Sequence, residues 1–190
     1  MTVEPPFRIR PADPRDADAI AAVHRASMRE AMPWLPDLHT PEEDRAWVAQ
    51  TVLPHQQVWV AEAAGQIVGV AAMDADDMLT QLYILPGHQG AGIGSALLET
   101  ARTARPAGFS LYAFQRNTRA RQFYEHRGFV PIAFGDGSGN EEGEPDVLYR
   151  WTPNDSEQYS GVQDSRHSDE GDSCHSDEGG ISALRGRGFA

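Results

Sequence analysis

LYILPGHQGAGIGSALL, residues 82–98, decides how this chain is read. A short apolar run ends at Pro86, and three glycines then alternate at Gly90, Gly92 and Gly94. Residues 95–105 continue as a helix whose apolar side carries Ile93, Ala96, Leu97 and Ala101. The order is strand, glycine turn, helix. Such a turn aims several backbone N–H groups at one point, and the helix dipole adds partial positive charge there. The stretch is therefore a candidate cradle for a phosphate or pyrophosphate.

Composition narrows which phosphate. All 16 basic residues are arginine, so the lysine of a nucleoside-triphosphate loop has no source. The glycines read Gly-x-Gly-x-Gly and sit mid-chain, which departs from the dinucleotide fingerprint Gly-x-Gly-x-x-Gly. A net charge of −12 opposes binding to a nucleic-acid backbone and suits cationic partners. The single cysteine, Cys174, allows neither an internal disulfide framework nor a cysteine-based zinc site, and no metal is expected. The start MTVEPPFRIR lacks an apolar leader, and no run reaches the length of a membrane span. A cytoplasmic protein without membrane or nucleic-acid partners is the expectation.

In chain order, residues 7–10 alternate as a short strand, and residues 14–30 carry helical spacing with Asp13 as cap and Pro14 in the first turn. MPWLPDLH, residues 32–39, reads as a covering loop; Thr40-Pro41-Glu42-Glu43 is a capping box that starts a second helix to about residue 53. Residues 57–62 and 67–73 form a hairpin around Ala64-Gly65-Gln66, and residues 78–85 form the strand that enters the glycine turn. A strand at 109–114, a helix at 118–127 and strands at 129–134 and 147–151 complete the domain, with GDGSGNEEGEP between the last two. The expected class is α/β (α+β): a mixed central sheet, antiparallel over much of its width, with helices on both faces. The domain spans residues 1–153. Residues 154–190 are rich in Ser, Asp, Glu and Gly, repeat HSDEG at 167 and 175, and read as a disordered acidic tail.

Two segments together resemble the GNAT superfamily of N-acetyltransferases. Gln89-Gly90-Ala91-Gly92-Ile93-Gly94 matches its Q/R-x-x-G-x-G/A turn. Asn117-Thr118-Arg119-Ala120-Arg121-Gln122-Phe123-Tyr124-Glu125, followed by Gly128-Phe129, is similar to its N-x-x-A-x-x-F/L-Y-E…G-F segment. A bacterial group is closer still through Phe114-Gln115-x-Asn117 and the DGSGNEE…PDVxYxW segment. The resemblance covers residues 7–152. It implies the GNAT fold, splayed between strands four and five, and acetyl-CoA as donor. The backbone of Leu82, Tyr83 and Ile84 would meet the pantetheine arm. The N–H groups of Gln89, Gly90, Ala91, Gly92, Ile93, Gly94 and Ser95 would hold the pyrophosphate, with Asn117 near the pantetheine. Ala91 stands where many relatives carry Arg or Lys, so one source of positive charge is missing.

The resemblance also gives Tyr124 a hydrogen bond to the coenzyme sulfur, so that it could protonate the leaving thiolate as a general acid, its ordinary pKa being ~10. The implied activity is acetyl transfer to a primary amine, on a small molecule or a peptide, by direct attack; the lone tail cysteine speaks against an acyl-enzyme. The base is sought among acidic groups near the last strand, with Asp146 first and Glu142 second. Asp146 and Trp34 are expected at the acceptor pocket. His24, Glu30, Asp37 and Asp74 lie on segments that could line it. A non-catalytic acyl-CoA-binding module on the same fold is the alternative, and a homodimer is compatible with either.

Overall fold

A computed structural model describes residues 6–153, and the expectations for the tail lie outside the described residues. β1 (Arg8–Pro11) leads through a 3-10 turn, Pro14–Asp16, into α1 (Ala17–Ala31). α2 (Pro41–Trp47) runs through a π-helical turn, Val48–Val52, into α3 (Leu53–His55). β2 (Gln57–Ala63), β3 (Gln66–Met73) and β4 (Leu79–Ile84) follow, then α4 (Ile93–Ala104), β5 (Phe109–Phe114), α5 (Thr118–Glu125), β6 (Val130–Gly135) and β7 (Asp146–Trp151). This is the order read from the sequence. Among the described residues no helix is long and apolar enough to cross a membrane.

Local chemistry explains the boundaries. Asp13 accepts from Arg15 N while its own N–H bonds to Asp16, which closes a capping box. Thr40 and Glu43 close a second one at α2. Ala64 and Gly65 both take positive φ, so β2 and β3 join by a two-residue turn whose twist matches the strands. α4 begins at Ile93, two residues earlier than its sequence pattern suggested, after Gly92 at φ 79°. Its buried face carries Ile93, Gly94, Leu97, Leu98 and Ala101, and Ala96, expected on that face, is half-buried. β3 accommodates α4 through Gly69, where a Cβ would lie 3.0 Å from Ile93 Cγ2 and 3.1 Å from Leu97 Cδ1.

The strands form two sheets, ordered β1-β2-β3-β4 and β5-β7-β6, with antiparallel ladders throughout. β4 and β5 run parallel and meet at one bridge, Met78 with Ser110. That closed end is tied by Ser110 N to Asp77 O and by Arg105, which reaches Asp77, Gln57 and the Asp74 carbonyl. Beyond it the two strands part, so the splay expected from the resemblance is present. One apolar layer packs α4 and α5 against Leu82, Ile84 and Leu111; the other packs α1 and the 48–52 turn against Val60, Val70 and Tyr83. A third cluster joins Met32 and Phe114 with Met28, Trp34, Leu35 and Tyr112, which seats the 32–39 loop over the open end of β5.

Candidate functional site

The site forms where β4 and β5 diverge. Leu85 N donates to Val68 O at 2.8 Å, so antiparallel alternation also turns the backbone of Tyr83 toward β3. Leu82 and Ile84 then turn theirs the other way, toward the gap. Of the three residues expected at the pantetheine, Tyr83 thus gives its main chain to the sheet. Ile84 O accepts from Ser27 Oγ of α1 at 2.5 Å.

Past β4, Gly90 and Gly92 both adopt φ of 79°, a region costly for any residue with a Cβ. A Cβ on Gly92 would meet nothing within 4 Å, so conformation and not crowding demands glycine there. The turn is anchored by Gln89 Nε2, which donates to Glu30 Oε2 at 2.8 Å. The first-turn N–H groups of a helix lack intrahelical acceptors. This donor set fits a pyrophosphate.

Arg127 was not singled out by sequence reasoning. Its guanidinium donates to Ser95 Oγ at 2.6 Å and to Phe123 O at 3.1 Å, and sits 3.6 Å from the Phe123 ring centroid. A cation therefore stands beside the first turn of α4, where Ala91 supplies none. No spacing rule could have found it, since 32 residues separate Arg127 from Ser95.

On the opposite lip α5 presents Asn117 and Tyr124. Asn117 Oδ1 caps the helix by accepting from Ala120 N at 3.0 Å. Its Nδ2 is buried and has no hydrogen-bond partner among the described residues. Tyr124 is fully buried, edge-on to Phe123 and Phe129, and its Oη also lacks a hydrogen-bond partner among the described residues. Burial pushes this phenol well above its ordinary value; Tyr83 adds to the rise and Arg127 opposes it. The hydroxyl is therefore a hydrogen-bond donor that holds its proton tightly. Both are buried donors that an acceptor in the gap would satisfy.

A cavity of about 300 Å³ lies between α1, the 32–39 loop, α2 and the 136–145 loop. His24 forms part of its wall and is edge-on to Tyr83, with ring centroids 4.7 Å apart. Arg25 binds Asp37 with both oxygens at 2.7 Å and buried Asp44 at 2.6 Å, and Arg29 also holds Asp37. These arginines, Arg29 foremost, keep the Asp37 carboxyl below the usual carboxylate range. His39 Nε2 lies 3.2 Å from Glu141 Oε1 and joins the two loops.

The acceptor-side expectations separate here. Glu142 lines the cavity, whereas Asp146 and Trp34 do not. The Asp146 carboxylate accepts from Asn140 Nδ2 at 3.0 Å and fills the space over Gly135, where a Cβ would lie 2.2 Å from Oδ1. Its task in the fold is to brace the acidic loop. Gln115 assists by donating to the carbonyls of Gly135 and Asp146. Trp34 instead lies under Arg116, whose guanidinium carbon is 4.6 Å from the ring centroid. Glu30 is engaged with Gln89, and Asp74 folds its own turn by accepting from Asp76 N and Met78 N.

Comparison with known proteins agrees with this geometry. Residues 54–131 match the family described as acetyltransferase (GNAT) domain. A probable N-acetyltransferase of Mycobacterium tuberculosis is 29% identical over 140 residues, covering 65% of this chain and 79% of that protein. The peptidyl-lysine N-acetyltransferase YjaB of Salmonella typhimurium is 29% identical over 124 residues, covering 65% and 83%. The solution structure of apo YjaB from Escherichia coli superposes with a TM-score of 0.64 at 22% identity, over 76% of this chain and 97% of that one. The glycine turn, β4, β5 and α5 thus all lie within a stretch, residues 54–131, that matches a GNAT acetyltransferase domain.

Proposed function

We propose that the protein transfers the acetyl group of acetyl-CoA to a primary amine by direct attack, without an acyl-enzyme. The coenzyme supplies an activated acetyl thioester. In this reading Gln89–Ser95 and Arg127 hold its phosphates, and the main chain of Leu82 and Ile84 lines up its pantetheine arm. Asn117 Nδ2 donates a hydrogen bond to that arm. Tyr124 Oη donates to the sulfur and stabilises it as it departs. The raised pKa of Tyr124 favours this donor role over full proton transfer, because a thiol is the stronger acid. The amine enters from the cavity on the α1 side. Its proton passes to a group on the cavity wall, Glu142 or His24, and Asp146 positions the loop that carries Glu142.

The observation that carries this reading is the pair of buried donors, Asn117 Nδ2 and Tyr124 Oη, that lack hydrogen-bond partners among the described residues, at the cap and in the body of α5. The test combines calorimetry with acetyl-CoA and free-thiol release with an amine panel, on wild type and Tyr124→Phe. Tyr124→Phe should bind acetyl-CoA within about threefold of wild type and lose roughly 10–100-fold in kcat. Its Tm should hold or rise, since a buried hydroxyl without a partner is costly. Unchanged kcat across pH would remove the donor role. Acetyl-CoA binding with no amine acetylated would favour the non-catalytic alternative.

A further inference from the structure

We infer that Glu30 and Arg116 are positioning residues: they clasp residues 30–34 across the open end of the gap, so that coenzyme bound at the glycine turn tightens the acceptor wall. This rests on the acetyl-transfer reading above. The open end has two lips, the turn after β4 and the turn after β5. Glu30, in the last turn of α1, accepts from Gln89 Nε2 on the first lip at 2.8 Å. Four residues on, Trp34 lies under Arg116 on the second lip, with the guanidinium carbon 4.6 Å from the ring centroid. Between them Met32 is 1% exposed and clusters with Phe114, the last residue of β5. Ser27, one turn before Glu30, donates to the carbonyl of Ile84, the last residue of β4. Residues 30–34 therefore pass from the end of β4 to the end of β5 as a strap.

The strap continues into the acceptor wall. Met32, Pro33 and Leu35 line the cavity. Leu35 N donates to Met32 O at 3.0 Å, so the place of Leu35 follows that of Met32. One short segment thus touches the coenzyme turn at one end and the acceptor cavity along its length.

The fastenings suit a coupling role. Glu30 is an acid at the C-terminal end of a helix, where the helix dipole disfavours it, so helix stability does not explain its place. Glu30 and Arg116 are both exposed, and each fastens the strap by one contact of a kind that is weak while its partner moves. Gln89 stands between Gly87 and Gly90, both at positive φ, in a turn that loses much freedom when it is ordered. A pyrophosphate held by that turn fixes Gln89, and the Gln89–Glu30 contact then forms at less entropic cost. By linkage, a strap held in place favours the coenzyme in return.

The experiment measures amide exchange at Met32 and Leu35, whose N–H groups donate to Met28 O and Met32 O, with and without saturating acetyl-CoA. It uses wild type, Glu30→Ala, Glu30→Gln and Arg116→Ala, with acetyl-CoA binding by calorimetry on each. Acetyl-CoA should slow exchange at both amides about fivefold in wild type. Glu30→Ala should bring that ratio below about 1.5 while the acetyl-CoA Kd stays within about threefold. Glu30→Gln keeps an oxygen for Gln89 Nε2 and should retain the wild-type ratio. Arg116→Ala frees the far end and should roughly halve the ratio. Kinetics use whichever of butylamine, phenethylamine, spermidine and a lysine-containing hexapeptide turns over fastest. Its KM should rise about fivefold in Glu30→Ala with kcat within about twofold.

The same coenzyme-dependent ratio in wild type and Glu30→Ala would overturn this inference and leave the acetyl-transfer reading standing. So would faster exchange in Glu30→Ala with that ratio intact, which is a purely structural role, or an unchanged amine KM. Acetyl-CoA binding with no amine turned over would overturn it together with the catalytic reading. Absence of acetyl-CoA binding would sink the coenzyme site as well.

Discussion

The two sides of the gap are built from different materials. The proposed donor side is nearly continuous in sequence: β4, the glycine turn and the first turn of α4 run from Leu79 to Ser95, and most of its chemistry would be main-chain N–H and C=O. The proposed acceptor side is assembled from side chains on segments far apart; His39 and Glu141, which meet at the cavity, are 102 residues apart. A backbone site needs particular φ angles, which leave glycines at fixed spacing. A side-chain site needs tertiary contacts, which leave no spacing at all. The donor side should therefore be intolerant of single backbone changes, and the acceptor side should yield gradually.

The sharpest way to break that contrast is Gly92→Val. The protein has room for the side chain, but φ of 79° at a β-branched residue is strained and the methyls would enter the phosphate space. Acetyl-CoA affinity should fall on the order of 100-fold, the sum of ~1–2 kcal/mol of strain and lost N–H contacts. Binding within threefold of wild type, measured by calorimetry, would end the backbone account.

Arg127→Leu is the next largest. It removes the one donor-side group that spacing could not reveal. Acetyl-CoA should bind about tenfold more weakly at low salt, and the deficit should shrink at high salt. A salt-independent loss would point to packing against Phe123 in place of charge.

Asn117 separates fold from function at one residue. Asn117→Ala removes the α5 cap and should cost ~1 kcal/mol of stability along with coenzyme affinity. Asn117→Asp keeps an oxygen for Ala120 N but loses the Nδ2 donor, so stability should hold while acetyl-CoA affinity drops several-fold. Equal stability losses in the two variants, read by denaturant titration, would mean that Nδ2 has a structural task.

The smallest effect concerns the acceptor wall in acid. The folded-state pKa of Asp37 is lowered by Arg29 and Arg25. Its stabilisation is fully present above the unfolded value near ~3.9 and is lost as pH falls through the lower folded value. Protection of the 32–39 loop amides should thus have no pH dependence from Asp37 between pH 5 and 9 and should be lost only well below pH 4. Asp37→Asn should remove that acid-dependent step. An Asp37-dependent change near neutral pH would contradict the ion pairs.

Legibility followed the same division. The caps at Asp13 and Thr40, the Ala64-Gly65 turn and the order of elements could be read because each depends on neighbours a few residues away. The glycine turn and the Asn117–Tyr124 spacing were legible for the same reason. Besides Arg127, three things were not. The main-chain direction of Tyr83 depends on its pairing with Val70, which no local pattern fixes. Asp146 looked available because its position before β7 is visible, while its partners Asn140 and Gly135 are fixed only by the folded acidic loop. Trp34 follows the 32–39 loop onto Arg116 and Phe114 and away from the cavity wall.

The cavity wall carries its positive charge on Arg25 and Arg29, and the chain contains no lysine at all. A guanidinium stays protonated and is a poor nucleophile, whereas a lysine amine at the mouth of an acetyl-transferring site is itself an acceptor. On the proposed acetyl-transfer reading, the ion pairs that shape this pocket would be chemically inert to the reaction. The chain would then stand in its own activated acetyl supply with no lysine amine to compete with the substrate or to erase, turnover by turnover, the charges that hold the wall together.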